Sequence, residues 1–304
     1  MRGLYACSEE VADAVAGGRP VVALETTLVT HGLPHPDGVR AATALEDEIR
    51  RGGATPATIG ILGGAIRVGL TRDELSELAT SPGVAKVNPG NLAATVAAGR
   101  PGATTVAATM LAANASGIKV FSTGGIGGVH RDADVTGDVS ADLTALSRIP
   151  VAVVCAGAKA ILDLPRTVEM LETLGVPVLG FRTNEFPAFY RRSSGLPVDC
   201  RMDTIEELSA AVRTHLALGI GTGVLVANPI PPSDELPAEI YERALETALA
   251  DARRLRLRGR DVTPFLLERL RELSGGESVR ANLALLANNA RVAARLATAL
   301  VEPT

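Results

Sequence analysis

The chain has 304 residues, 46% hydrophobic and 21% charged, which supplies a large core and excludes wholesale disorder. A net charge of −4 with 3% aromatic residues and no Trp argues against a nucleic-acid binder, which needs basic charge and stacking rings. No apolar run reaches the roughly 18–20 residues that cross a bilayer, the first residues lack a basic-then-apolar leader, and Cys7, Cys155 and Cys200 form no CxxC, so a reduced cytoplasmic setting with no membrane contact is expected.

In chain order, short β-branched runs alternate with longer helical patterns. Strands are predicted over 20–25, 58–62, 65–68, 118–121, 151–155, 176–180 and 223–226. Several are apolar without alternation, as in strands covered on both faces. Helices are predicted over 8–16, 37–50, 72–79, 89–97, 105–115, 164–174 and 205–218. Asn88-Pro89 reads as an N-cap followed by Pro at the first helical position, and Thr71 with Glu74 as a capping box. From about Pro237 onward the pattern is helical, over 238–257, 264–273 and 278–300, with Ser274-Gly-Gly276 between the last two. The basic run Arg253–Arg258 reads as a solvated helix face. No repeat or linker divides the chain. The expectation is one domain over 1–304, an α/β, three-layer α/β/α fold with a mixed central sheet and a helical C-terminal region packed onto it.

Five places carry residues suited to chemistry. Glu25 ends an apolar strand, where open α/β sheets place ligands, and burial there would favour its protonated form; the alternative is a carboxylate paired with an Arg. His31 and His35 are four apart, but Gly32 and Pro34 between them forbid regular helix, so pocket-lining loop histidines fit better than a dihistidine metal site. Thr123-Gly-Gly-Ile-Gly-Gly-Val-His130 puts four glycines after a strand, so that main-chain N–H groups could converge on a phosphate or phosphosugar; a structural glycine turn is the alternative. It is neither dinucleotide nor ATP fingerprint, and it opens the irregular stretch 123–139, long enough to suggest function. Asp132, Asp134, Asp138 and Asp142 could hold Mg²⁺ or Mn²⁺ with several retained waters, or simply cap turns on an acidic surface. Lys159 stands just beyond a buried strand among Ala and Gly, where desolvation favours the nucleophilic neutral amine, unless it pairs with an Asp. Only Lys86, Lys119 and Lys159 are lysines among 30 basic residues, a slight indication that each is kept for an amine that can lose its proton. Cys155 reads as inert core. Asn282, Asn288 and Asn289 lie mid-helix, where asparagine is mildly unfavourable, so a polar role is conceivable for them.

Several longer motifs stand in one order: Glu25-Thr-Thr-x-x-x-His-Gly-Leu-Pro34, Thr123 to Arg131, Asp138-Val-Ser-Ala-Asp142 and Val153-Val-Cys-Ala-Gly-Ala-Lys-x-Ile-Leu-Asp163. Val226-Ala-Asn-Pro-Ile-Pro231, Thr263-Pro-Phe-Leu-Leu267, Leu273 to Asn282 and Asn288-Asn-Ala-Arg291 follow. Together they resemble the pseudouridine-5'-phosphate glycosidases, the indigoidine synthase A-like family, over about residues 5–298. The resemblance implies a manganese-dependent homotrimer with one divalent ion per subunit, which converts pseudouridine 5'-phosphate and water to uracil and ribose 5-phosphate, reversibly. By motif position it implies Glu25 as proton donor, Lys159 as nucleophile forming an imine with the ring-opened sugar, and Asp138 as metal ligand. Lys86, Val106, Ser140, Ala141, Asp142 and Asn282 would contact substrate, with Thr123 and His130 in the sugar-phosphate pocket. The sequence departs from the family after Lys86, where Asn88-Pro-Gly-Asn91 replaces a Ser-Arg-Arg-Asp pattern, and at Gly137, where an aromatic is common. Two other readings follow from the same residues: an imine-forming lyase on another phosphosugar or C-nucleotide, and a phosphosugar-binding protein without turnover, against which the intact Glu25 and Lys159 argue.

Overall fold

The fold was examined in a computed structural model, which describes residues 3–33, 35–255, 257 and 262–301. In chain order these form β1 (Tyr5–Cys7), α1 (Glu9–Ala16), β2 (Val21–Leu24), α2 (Asp37–Arg51), β3 (Thr55–Leu62), β4 (Ala65–Val68), α3 (Arg72–Thr80), β5 (Ala85–Val87), α4 (Pro89–Ala97), β6 (Gly102–Thr104), α5 (Val106–Ala115) and β7 (Val120–Ser122). They continue with α6 (Ala133–Thr136), α7 (Ala141–Leu146), β8 (Ala152–Cys155), α8 (Leu164–Thr173), β9 (Val178–Phe181), β10 (Cys200–Met202), α9 (Ile205–Ala217), β11 (Val224–Ala227), α10 (Ala238–Arg254), α11 (Val262–Leu273) and α12 (Glu277–Val301). Pro34 of the histidine motif, and Arg256 and Arg258 of the basic run, lie outside the described residues.

The sheet runs β1-β4-β3-β2-β7-β8-β11-β9-β10, with β6 on β3 and β5 on β6. It is parallel except where β3 meets β4 and β6, so it is mixed, as expected. Its middle strands β2, β8 and β11 are buried at every residue, which is why their sequences show no alternation. Each such Val or Leu contributes on the order of 1.5–3 kcal/mol by leaving water. α12 lies across this centre, packed against β2, β7 and β8 on one side and against α2 and α9 on the other. Its inward stripe is small and aliphatic, with Ala281, Leu285, Ala290, Ala293 and Ala297 buried. At Gly52 the end of α2 comes so close that an added Cβ would stand 2.5 Å from the Ala294 Cβ.

β2, β7 and β8 are parallel neighbours, with Leu24 opposite Ser122 and Ser122 opposite Val154. Their carboxyl ends therefore share one edge of the sheet. Glu25, Thr123 and the loop that leads to Lys159 all leave the sheet there.

The expected strands over 20–25, 58–62, 65–68, 118–121, 151–155, 176–180 and 223–226 all form, each within three residues of its expected bounds. β1, β5, β6 and β10, three residues each, were missed because three residues carry no periodic signal. The stretch 123–139 holds the four-residue α6. His31 lies in a π-helical turn, Leu28–Gly32.

Candidate active site

A cavity of about 530 Å³ opens at the carboxyl edge of β2, β7 and β8. Its walls include Glu25, Lys86, Thr123, His130, Asp138, Ser140, Ala141, Asp142, Lys159 and Asn282, gathering ten residues separated by up to 257 positions in the chain. Val106 is fully buried and does not line the cavity; the neighbouring Thr105 does. Val106 is the first residue of α5, packed beneath the wall rather than in it, so the expected substrate contact is not seen at this residue.

The end of β2 is locked by its two threonines. The Thr26 hydroxyl donates to Ile59 O at 2.8 Å and accepts from Thr104 N at 3.0 Å, while the Thr27 hydroxyl donates to Thr104 O at 2.7 Å. These bonds tie β2 to β3 and β6 and leave Glu25 facing the cavity. The Thr123 hydroxyl donates to Glu25 Oε1 at 2.5 Å. Burial raises the Glu25 pKa above the usual carboxylate range, opposed by the Lys159 charge and this hydrogen bond. Among the described residues no Arg pairs with Glu25, so the structural ion-pair alternative does not describe it.

The far part of the glycine loop is a scaffold, while Gly124 and Gly125 line the cavity. Ile126 N–H donates to Gly157 O, Gly127 N–H to Asp142 Oδ2, Val129 N–H to Thr167 Oγ1 and His130 N–H to Asp138 O. Gly127 and Gly128 serve close approach: a Cβ on Gly127 would collide with Ser140 Oγ, and one on Gly128 with Thr167 Oγ1. The Lys159 N–H donates to Ile126 O at 3.0 Å, so the glycine loop also fixes the segment that carries the amine. Lys159 itself is partly exposed to the cavity, and no carboxylate lies within ion-pair distance of it among the described residues.

The four aspartates separate. Asp132 and Asp134 are exposed and face Arg253 and Arg166 at 3.6 and 3.4 Å. Asp142 is buried, and its carboxylate accepts from Gly127 N at 2.8 Å and Ala107 N at 3.0 Å, the latter at the N-terminus of α5. Asp138 keeps its carboxylate toward the cavity, 3.9 Å from His130 Nδ1. Burial lowers the His130 pKa, with Asp138 opposing, which favours the neutral ring that suits metal or sugar hydroxyls. Among the described residues no three His, Cys, Asp or Glu side chains converge on one point. The donors therefore fit an ion held by one carboxylate that keeps most of its waters, and not a closed cage.

The rest of the wall mixes residues the sequence singled out, Lys86 and His31, with others it did not. Lys86 is the middle residue of β5, and Asn91 Nδ2 donates to its carbonyl at 3.1 Å. Asn88 and Asn91 form the capping box of α4, so the departure from the family pattern is a helix start whose two amides also line the cavity. His31 lines the cavity; burial and Lys86 lower its pKa, while His35 is exposed. From α11, Glu268 and Arg271 reach the wall, bonded to each other. Phe189 lies against Gly125 with a left-handed φ of 61°, held by its N–H bond to Ala156 O. Cys155 is buried, its thiol pushed up to about 12, as inert core should be.

The family model for indigoidine synthase A like protein matches residues 10–299. The chain belongs to the indigoidine synthase A-like family. It is 55% identical to a pseudouridine-5'-phosphate glycosidase of Methylobacterium nodulans, over 96% of this chain and 86% of that protein. It is 53% identical to one of Caldanaerobacter subterraneus subsp. tengcongensis, over 96% and 95%. Two solved structures share the fold: the prealnumycin C-glycosynthase AlnA in complex with ribulose 5-phosphate, at TM-score 0.91 and 40% identity over 98% of this chain and 97% of that one, and an indigoidine synthase A-like protein from Thermotoga maritima, at 0.90 and 38% over 99% and 98%.

Proposed function

We propose that this chain is a pseudouridine-5'-phosphate glycosidase, cleaving the C–C glycosidic bond to uracil and ribose 5-phosphate in a reversible reaction. The observation that carries the reading is one cavity holding a carboxyl biased toward its protonated form, Glu25, and an amine, Lys159, with no carboxylate at ion-pair distance among the described residues. The names of the relatives agree with it.

A C–C glycosidic bond is hard to break because the base would leave as a carbanion. Two residues divide the difficulty. The Lys159 amine attacks C1' and displaces the ring oxygen, which leaves as a hydroxyl on the open sugar. The nitrogen lone pair then forms the C1'=N bond of an imine as the C1'–C5 bond to the base breaks. Glu25 gives its proton to that base carbon, so neutral uracil departs. Water adds to the imine, returning the amine and releasing ribose 5-phosphate as the aldehyde. The remaining proton returns to Glu25. Thr123, Asn282, Ser140 and Ala141, all in the cavity wall, would hold the substrate's hydroxyl and carbonyl groups, while Lys86 would bring positive charge for the phosphate.

Asp138, with His130 beside it, is the residue for a divalent ion such as Mn²⁺. A bound ion there would fix water and substrate oxygens electrostatically. The free Cys7 and Cys200, both exposed, support a reducing cytoplasmic setting. Among the described residues no helix is long and apolar enough to cross a membrane. We read the working form as a homotrimer of one-domain chains, on family grounds.

A second reading is favoured by one finding: the 40% identical C-glycosynthase was solved with ribulose 5-phosphate, a related phosphosugar. The amide pair Asn88 and Asn91 in the wall would then select another base or acceptor. Incubation with pseudouridine 5'-phosphate and Mn²⁺, following uracil, separates the two. Uracil release lost in Lys159→Ala supports the glycosidase; no release from folded, metal-loaded protein moves the assignment to the second reading.

A further inference from the structure

Two asparagines outside the cavity wall form a buried chain that ends on the catalytic carboxyl. Asn289, in the middle of α12, is fully buried and donates through Nδ2 to Thr123 O at 2.8 Å. Its Oδ1 accepts from Asn228 Nδ2 at 2.8 Å. Asn228 directly follows β11 and is fixed in turn by its N–H bond to Cys155 O at 2.8 Å. On the other side, Thr123 N–H donates to Val154 O at 3.0 Å. Both main-chain groups of Thr123 are thus pinned, and its hydroxyl is left aimed at Glu25. Mid-helix asparagine has low helix propensity and a fully buried amide is costly unless satisfied. A purely structural site in α12 would be filled at less cost by Ala or Leu, as its inward neighbours are.

We infer that Asn289, braced by Asn228, is a positioning residue that holds Thr123 so that its hydroxyl donates to Glu25 and sets the readiness of that carboxyl to give up its proton. The inference deepens the glycosidase reading and rests on it for its catalytic meaning. The groups that face Glu25 are Lys159 from the loop after β8, Asp142 from α7, Lys86 from β5 and the Thr123 hydroxyl from the end of β7. Of these, only the hydroxyl is held by the asparagines. Its hydrogen bond favours the charged carboxylate, so its loss must move the Glu25 titration upward.

The test is a pH titration of the Glu25 side-chain carbon by NMR, in protein carrying ¹³C-labelled glutamate, with the signal assigned by its absence in Glu25→Gln. Asn289→Ala is expected to raise the midpoint by about one unit, as is Thr123→Val. The double variant is expected to match Thr123→Val alone, because both changes remove the same bond. Thr123→Ser is expected to keep the wild-type midpoint. Asn228→Ala gives a milder variant if Asn289→Ala does not fold, with a smaller upward shift. An unshifted midpoint in Asn289→Ala, or in Asn228→Ala where the first does not fold, overturns the inference; so does an additive double variant. Uracil release by the wild type is followed in parallel. Its failure would sink the glycosidase reading, while the titration would still decide whether the asparagines act on Glu25.

Discussion

The Thr123 hydroxyl donates to Glu25 Oε1 at 2.5 Å, joining residues that follow β7 and β2 and lie 98 positions apart. It is a direct consequence of strand register, since Leu24 and Ser122 are paired and the next residue of each strand turns out at the same edge. Two opposed effects meet on the carboxyl: burial raises its pKa and the hydrogen bond lowers it, with burial the larger.

Glu25→Gln keeps an acceptor for Thr123 but has no acidic proton. It is expected to lower kcat for uracil release by about 10²–10⁴-fold, the usual worth of a positioned general acid, with KM changed much less. Steady-state kinetics on the metal-loaded protein check this.

The pH dependence has a fixed sign. Glu25 must be protonated to act in the breakdown direction, and its pKa is raised in the folded chain. Activity should therefore persist above the ordinary carboxylate range and fall as pH rises through the raised value. Stability follows the same group. The unfolded chain loses this proton first, so the folded state is destabilised as pH rises from the unfolded value through the folded one. Over that window the melting temperature of the wild type should fall relative to Glu25→Gln. Thermal scans across pH would reveal it, and parallel curves would contradict the raised pKa.

Asp142→Ala should act on the fold first. It would leave the N–H groups of Gly127 and Ala107 without their acceptor in a buried place, at a cost of about 2–4 kcal/mol. Denaturant unfolding is the readout. Asp142→Asn retains an acceptor oxygen for one of the two donors and should lose less.

Asp138→Ala should do the reverse. The side chain is partly exposed, and among the described residues its carboxylate ties no element of the fold by a hydrogen bond, so stability should change by no more than about 0.5 kcal/mol. Mn²⁺ affinity, followed by calorimetry or by the paramagnetic signal of free Mn²⁺, should drop sharply. Unchanged affinity would place the ion elsewhere.

The central strands were legible because burial on both faces leaves continuous apolar runs, and the capped helices because Thr71 and Asn88 announce them. The site was legible where one residue stood out against its surroundings, as Lys159 does after a run of Val, Cys, Ala and Gly. It was illegible where function comes from tertiary placement. Spacing alone does not show that the Asp142 carboxylate is taken by main-chain N–H groups while that of Asp138 is not; only the motif match gave the two different roles. The glycines after Thr123 suggested an anion cradle because glycine permits one, but the same residue type also permits close packing, which Gly127 and Gly128 use while Gly124 and Gly125 line the cavity. Asn289 gave one faint signal, a buried-helix position filled by an amide, and only the contact with Thr123 gives it a meaning.

The proposed reaction passes through a covalent bond between Lys159 and the sugar. Borohydride reduction during turnover of pseudouridine 5'-phosphate, followed by mass spectrometry of the peptides, tests this most directly. A single reduced phosphosugar on the peptide carrying Lys159, absent from Lys159→Ala and from enzyme without substrate, is the predicted result. Uracil release at the wild-type rate by Lys159→Ala, or turnover that leaves no trapped adduct, would contradict it.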